Sequence, residues 1–293
     1  MSSERADLID PRVTQKAHLI DPRVTEKVAV AGLWVVAAIV NIPIMFIVGY
    51  MLYRGASVLN WELLTSMDGL YPAIIGTTFL ASLTGLIAAP IGIGAAIYLS
   101  EYATKGTLVR MIRLAIINLA GVPSVVYGLF GLAAFVIILD WGRCLMAGAA
   151  TLALLVLPLI IAASEEALRQ VPTGLREGSL ALGASKWQTI RRVVLPNALP
   201  GMITGMILSI ARAAGETAPI LFTAAFYSLS DPFPNSLFDP IIAMPYQLYV
   251  TATEEPHVDP SFTWAMAFVL VALVLGLNLI ATVIRAKLRR RRW

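Results

Sequence analysis

The chain has 293 residues, of which 58% are hydrophobic and only 14% charged, with a formal net charge of +4. So few charges over this length exclude an ordinary soluble domain, and the mean hydropathy of +0.78 points to the membrane class. A single cysteine and two histidines, far apart, exclude a disulfide framework and a thiolate or His-rich metal centre.

The first 27 residues are polar and carry a repeat. Leu8-Ile9-Asp10-Pro11-Arg12-Val13-Thr14 returns as Leu19-Ile20-Asp21-Pro22-Arg23-Val24-Thr25. Each copy holds an Asp-Pro step, which disfavours a continuous helix. The repeat reads as a tandem duplication in a tail or as a small docking motif.

A transmembrane helix needs about 20 largely apolar residues to cross a hydrocarbon core of ~30 Å. Uncharged windows of that length run over Val28–Tyr53, Tyr71–Ser100, Leu114–Leu139, Cys144–Ser164 and Pro260–Ile284. A sixth, from about Ala198 to Tyr227, is apolar except for Arg212 and Glu216. The first window is too long for a signal-peptide core and is predicted to be retained. The expected fold is therefore all-α, a polytopic membrane protein of six transmembrane helices.

Charge orients the spans. The stretches 1–27, 101–113, 165–197 and 285–293 hold 19 Lys and Arg, whereas 54–70, 140–143 and 228–259 hold 2. The positive-inside rule puts the first set, with both termini, in the cytoplasm. The pI of about 9.3 is then topogenic and implies no nucleic acid. Arg289 to Arg292 read as an anchor at anionic lipid headgroups. The outer connection 228–259 has no Lys or Arg, yet is too apolar for a plain solvated loop. It is predicted to include a short helix at the outer face, serving as a docking surface or a lid.

The connection 165–197 is the most informative. Glu165 and Arg169 stand at i,i+4 spacing, which extends the fourth span past the membrane. Pro172-Thr173-Gly174 break that helix, and a short run Leu175–Leu182 ends at Gly183, a residue suited to a left-handed turn. Ser185 and Gln188 form a capping-box pattern. The helix it starts is predicted to align Trp187, Ile190 and Val194 on one face and to end at Leu195-Pro196. Two short helices meeting at Gly183 make a knuckle fit to enter a groove on another protein.

Glu177-Gly178-Ser179, then Gly183, then Val193 and Leu195-Pro196 are spaced as in the EAA-x3-G-x9-I-x-LP loop of ABC importer permeases, and the stretch resembles it. Glycine and serine replace the two alanines and Val193 replaces isoleucine. Leu119-Ala120-Gly121-Val122-Pro123-Ser124-Val125-Val126-Tyr127-Gly128-Leu129-Phe130-Gly131 and Ala211-Arg212-Ala213-Ala214-Gly215-Glu216-Thr217-Ala218-Pro219 are similar to permeases of phosphate-specific importers, the A-type subunit most of all. The resemblance covers about 71–285, the expected permease domain, and leaves out the tail 1–27, the first helix 28–53 and the basic tail 286–293. It implies a type I importer permease fold in a bacterial inner membrane. It also implies a second, related permease, two ATP-binding cassette subunits and an extracytoplasmic phosphate-binding protein as partners. Loop 165–197 would couple to the ATPase, where ATP and Mg are used.

Within the spans, Arg212 and Glu216 are the ionisable residues, and each costs a few kcal/mol there unless paired or hydrated. Their spacing suits an ion pair. They read either as a structural bridge or as an oxyanion contact, Arg212, opposed by a competing carboxylate. Thr77, Thr78, Ser82 and Ser124 are candidate hydroxyl donors. None of the five lysines follows glycine, so there is no Walker A lysine and no cofactor is expected on this chain. The alternatives are an importer of another oxyanion (molybdate, sulfate or phosphonate) and an ion-coupled secondary transporter. The latter predicts matching halves, which the chain lacks.

Overall fold

The computed structural model describes residues 22–103, 106–228, 232–255 and 258–289. The first copy of the repeat and His18 and His257 lie outside them, as do residues 290–292 of the basic cluster. Among the described residues five helices are long and apolar enough to cross a membrane, and a bent pair makes six when taken as one span. All six apolar windows are occupied by helix.

The chain divides into a unit ending at Tyr53 and a second starting at Arg54. The first holds one helix, α1 (Pro22–Gly55), of 34 residues, whose opening proline is the one in the second repeat copy. Proline at a first helical position needs no N–H partner, so the second Asp-Pro step starts a helix.

The second unit begins with a short helix α2 (Trp61–Thr65), capped by the Asn60 side chain on Leu63 N. The helix α3 (Tyr71–Ile97) runs on without a break into a π-helical turn, Tyr98–Tyr102. The third predicted span is not straight. It consists of α4 (Thr107–Ala120) and α5 (Ser124–Gly131), the latter extended by a π-helical stretch Leu132–Ile138, with a bend of 100° between the halves. Pro123 forces the break, because it lacks an N–H and holds extended backbone angles. The Tyr127 hydroxyl donates to Leu119 O at 2.9 Å, beside Val122 N at 3.1 Å, and ties the two halves across the break.

Helix α6 (Leu145–Arg169) is the centre of the unit. Leu152, Val156, Ile160 and Leu168 along it have no exposed surface. Next come α7 (Thr173–Ala181), a single turn α8 (Lys186–Thr189), a π-helical stretch Ile190–Val194, and α9 (Leu195–Ala214). Helix α9 lies against α6 through small residues. A Cβ on Gly201 would come within 2.7 Å of the Ala167 Cβ, and one on Gly205 would collide with the Ala163 Cβ. The Gly201-x-x-x-Gly205 pattern is thus a close helix–helix seam. Short α10 (Ala218–Thr223), α11 (Met244–Thr253) and the long α12 (Pro260–Arg289) complete the unit. Helix α11 is the short helix expected in 228–259.

Two sequence expectations change here. Leu195-Pro196 do not end the helix that starts at Lys186. The stretch Ile190–Val194 widens to π geometry, Leu195 N bonds to Ile190 O, and Pro196 follows directly, where the hydrogen-bond ladder has already shifted by one residue. In addition, Ile190 and Val194 are buried but Trp187 is 54% exposed, since that first turn projects past the bundle end. Helix α6 runs on to Arg169, and Glu165 pairs with Arg113 of α4 at 2.8 Å, while Arg113 donates to Leu99 O at 2.9 Å, so the middle of α4 joins the end of α6 to the π turn after α3.

Candidate functional site

The predicted site residues fall into two groups at different levels of the bundle. The first is the knuckle. Gly183 has φ +83°, a left-handed conformation, and closes α7 with two bonds: Gly183 N to Leu180 O at 2.9 Å and Ala184 N to Ser179 O at 3.2 Å. These are the paired bonds of a Schellman turn. The capping box is formed, Gln188 N donating to Ser185 Oγ and Ser185 N to Gln188 Oε1. Ser179 Oγ lies 2.9 Å from Thr189 Oγ1, closing the knuckle on itself. Glu177 and Gly178 are exposed on α7, Val193 and Leu195 are half-buried, and Pro196 is exposed. Leu175, Leu180, Leu182 and Trp187 are exposed as well, Leu182 by 92%. That is an apolar surface on a rigid turn, with a carboxylate beside it.

Sequence reasoning missed what holds the knuckle on. Arg176, next to Glu177, pairs with Glu101 of the π turn at 2.9 Å and donates to Val171 O and Leu168 O at 2.6 and 2.8 Å. The two side chains are 20% and 10% exposed. Removing either leaves a partly buried charge unpaired, and for a fully buried pair that costs about 3–5 kcal/mol. The only signal was position: an arginine just before the motif and a glutamate just past a span.

The second group gathers where α9 ends. Helix α9 stops at Ala214 and Gly215 caps it, so Arg212 lies in the last turn and Glu216 beyond the helix. They do not share one helix face as the spacing suggested. They still pair, Nε to Oε1 at 3.6 Å, with side chains 55% and 17% exposed. This is longer than a tight charge-assisted bond of about 2.8 Å, so the guanidinium edge is not saturated by its partner. A cation in the last turn also complements the helix dipole. The break is packed by the other resembling stretch: a Cβ on Gly128 would come within 3.0 Å of the Pro219 Cα. The two stretches that looked alike in type are thus neighbours in space.

The hydroxyls are largely committed. Thr77 donates to Ala73 O and accepts from Met244 N at 2.9 Å, and Thr78 donates to Ile74 O at 2.7 Å. Ser82 is exposed on α3 and Ser124 is half-buried at the start of α5. At the end away from the knuckle, Arg143 donates to Leu221 O and Ala225 O and stands 4.3 Å from the Phe226 ring centroid, pinning the end of α10. Two clefts, of about 500 and 370 Å3, open beside Arg113, and Arg212 lines neither. This chain alone does not enclose Arg212. Among the described residues no group of three or more His, Cys, Asp or Glu gathers for a metal.

The chain is 39% identical over 226 residues to the phosphate transport system permease protein PstA 1 of Mycobacterium tuberculosis, covering 76% of this chain and 73% of the relative. It is 36% identical over 261 residues to PstA 2 of Mycobacterium bovis, covering 87% and 86%. To PstA of Yersinia pestis it is 38% identical over 228 residues, covering 76% and 74%. Among solved structures, a bacterial ABC transporter that imports alginate superposes with TM-score 0.64 at 13% identity over 90% of this chain and 99% of that one. The MetNI methionine ABC transporter in an inward-facing conformation gives 0.61 at 19% identity, over 75% and 95%. These two show the fold, that of an ABC importer permease. Residues 88–292 match the family described as binding-protein-dependent transport system inner membrane component, and the chain belongs to that family.

Proposed function

We propose that this chain is a permease subunit of an ATP-driven importer and forms part of the transmembrane pathway for inorganic phosphate. The observation that carries the substrate is the similarity to phosphate transport system permeases over 73–86% of their length. A loosely paired guanidinium at the break after α9 agrees with an oxyanion cargo. Arg212 meets the anion in transit, and Glu216 competes for the guanidinium so that the anion leaves again. Thr77, Thr78, Ser82 and Ser124 contribute at most secondary contacts, because the first two already bond within the bundle.

The knuckle formed by Glu177, Gly178, Ser179 and Gly183, braced by Val193, Leu195 and Pro196, docks on a separate ATPase subunit. ATP and Mg are used there. Two such subunits, a second, related permease and an extracytoplasmic phosphate-binding protein complete the assembly in the lipid bilayer. Exposed Leu108, Met111, Leu114 and Ile117 on α4 are apolar enough to face lipid or the second permease. Both termini and loop 165–197 are cytoplasmic, and 228–259 faces outward.

The test is uptake of labelled phosphate by cells lacking their own importer and supplied with the complete system. Uptake should require ATP and resist excess sulfate and molybdate. Competition by either anion at concentrations equal to phosphate would overturn the substrate.

A further inference from the structure

We infer that Arg176 and Glu101 form the joint through which movement of the knuckle reaches α3, and that α3 carries it to the segment Ile241–Met244 at the opposite end. This rests on the proposal that the knuckle docks on the ATPase subunit.

The guanidinium of Arg176 makes three hydrogen bonds. Its Nη2 meets Glu101 Oε1 at 2.9 Å and Leu168 O at 2.8 Å, and its Nη1 meets Val171 O at 2.6 Å. A planar fork held at three points has a fixed orientation. A second contact runs parallel to it: Lys186 Nζ stands 5.0 Å from the ring centroid of Tyr102. Both halves of the knuckle therefore grip the same π turn, Tyr98–Tyr102, which is continuous with α3.

From Tyr71 to Tyr102 the helix has 32 residues, roughly 48 Å at 1.5 Å per residue. At its other end Thr77 accepts a bond from Met244 N, and the missing Cβ of Gly76 admits the carbonyl of Ile242. That segment is bonded in turn to the strand of chain leaving α10. Phe226 N donates to Ile241 O at 2.9 Å and Ile241 N to Ala224 O at 3.3 Å. An unbroken line of direct contacts thus joins the knuckle, one helix and the closure beyond Arg212 and Glu216. Packed cores switch between discrete arrangements and do not deform continuously, and α3 stays one helix through Pro90, so a push at Glu101 is carried to Ile242.

The experiment uses the assembled importer in proteoliposomes with Glu101→Gln, Arg176→Gln, the double variant and Arg176→Lys. It reads phosphate imported per ATP hydrolysed, together with the ATP-dependent change in maleimide labelling of Leu237→Cys at the far end. Each glutamine variant should lower the transport ratio by about fivefold or more and abolish the labelling change. The double variant should be no worse than Arg176→Gln alone, because the Arg176–Glu101 contact is already lost there. Arg176→Lys, which keeps the charge but not the fork, should fall between and serves as the readout if a glutamine variant does not accumulate. A normal ratio in both singles, additive losses in the double, or loss of the ATPase subunits from the purified complex would each overturn the inference. Gly183→Val in the same assay separates the two proposals. Normal transport and docking there would defeat the coupling role of the knuckle, whereas a coupling loss at Gly183 with none at Glu101 would defeat the joint alone.

Discussion

Arg212 and Glu216 face each other across Gly215, one in the last turn of α9 and one beyond its end, 3.6 Å apart. Because the helix stops between them, the two positions are not equivalent. Arg212→Gln should reduce phosphate uptake by about tenfold or more, the scale of one lost charge-assisted hydrogen bond, with membrane levels unchanged. Exchanging them, Arg212→Glu with Glu216→Arg, moves the cation past Gly215 and should not restore uptake. Full recovery in the exchanged variant would make the pair a structural bridge.

Gly183 at φ +83° tests the knuckle. A residue with a Cβ costs about 1–2 kcal/mol in that conformation, and a β-branched one more. Gly183→Val should leave insertion intact but depress uptake and weaken co-purification of the ATPase. Gly183→Asn should be milder, since asparagine visits left-handed geometry more readily. Equal activity of glycine, asparagine and valine would remove the turn from the mechanism.

The α6–α9 seam tests packing. Gly205→Val would drive a side chain into Ala163, an overpacking worth about 1–3 kcal/mol, and should lower the thermal midpoint of the purified complex. Adding Ala163→Gly should recover part of that loss. No recovery would place the strain elsewhere.

Cys144 has no exposed surface, and its Sγ accepts from Ala147 N at 3.4 Å. The unaltered chain should therefore not react with an impermeant maleimide, and reaction should rise only under denaturing conditions. Against that silent background, Glu254→Cys should label in intact cells and Leu182→Cys only after permeabilisation. The reverse pattern would invert the proposed orientation.

Span positions were legible because apolar length is a property of the chain itself, and all six windows hold helix. The turn at Gly183 and the box at Ser185 and Gln188 were legible for the same reason, being local chemistry. The bend at Pro123 lay inside a window that hydropathy alone cannot divide. The stop at Gly215 was hidden too, because Ala213-Ala214 before it are good helix formers. Arg176 with Glu101, and Thr77 with Met244, escaped because they join residues 75 and 167 positions apart. Long-range partners leave no period in a sequence. Trp187 was misplaced because periodicity gives a face but not where the bundle ends.

The π-helical stretch Ile190–Val194 makes residue count, and not only residue type, a variable of this protein. A π turn spans one residue more than an α turn. Deleting a single residue between Thr189 and Leu195 would let the helix from Lys186 to Ala214 close into regular geometry. A π turn and an α turn each make about one revolution, so that deletion removes a residue but leaves Ser185, Gly183 and Leu182 facing the same side. A deletion in the α-helical part, Leu195–Ala214, has no extra residue to give up and rotates everything before it by about 100° about the helix axis. Tolerance to a one-residue deletion within Ile190–Val194 should therefore coexist with intolerance to the same deletion in α9.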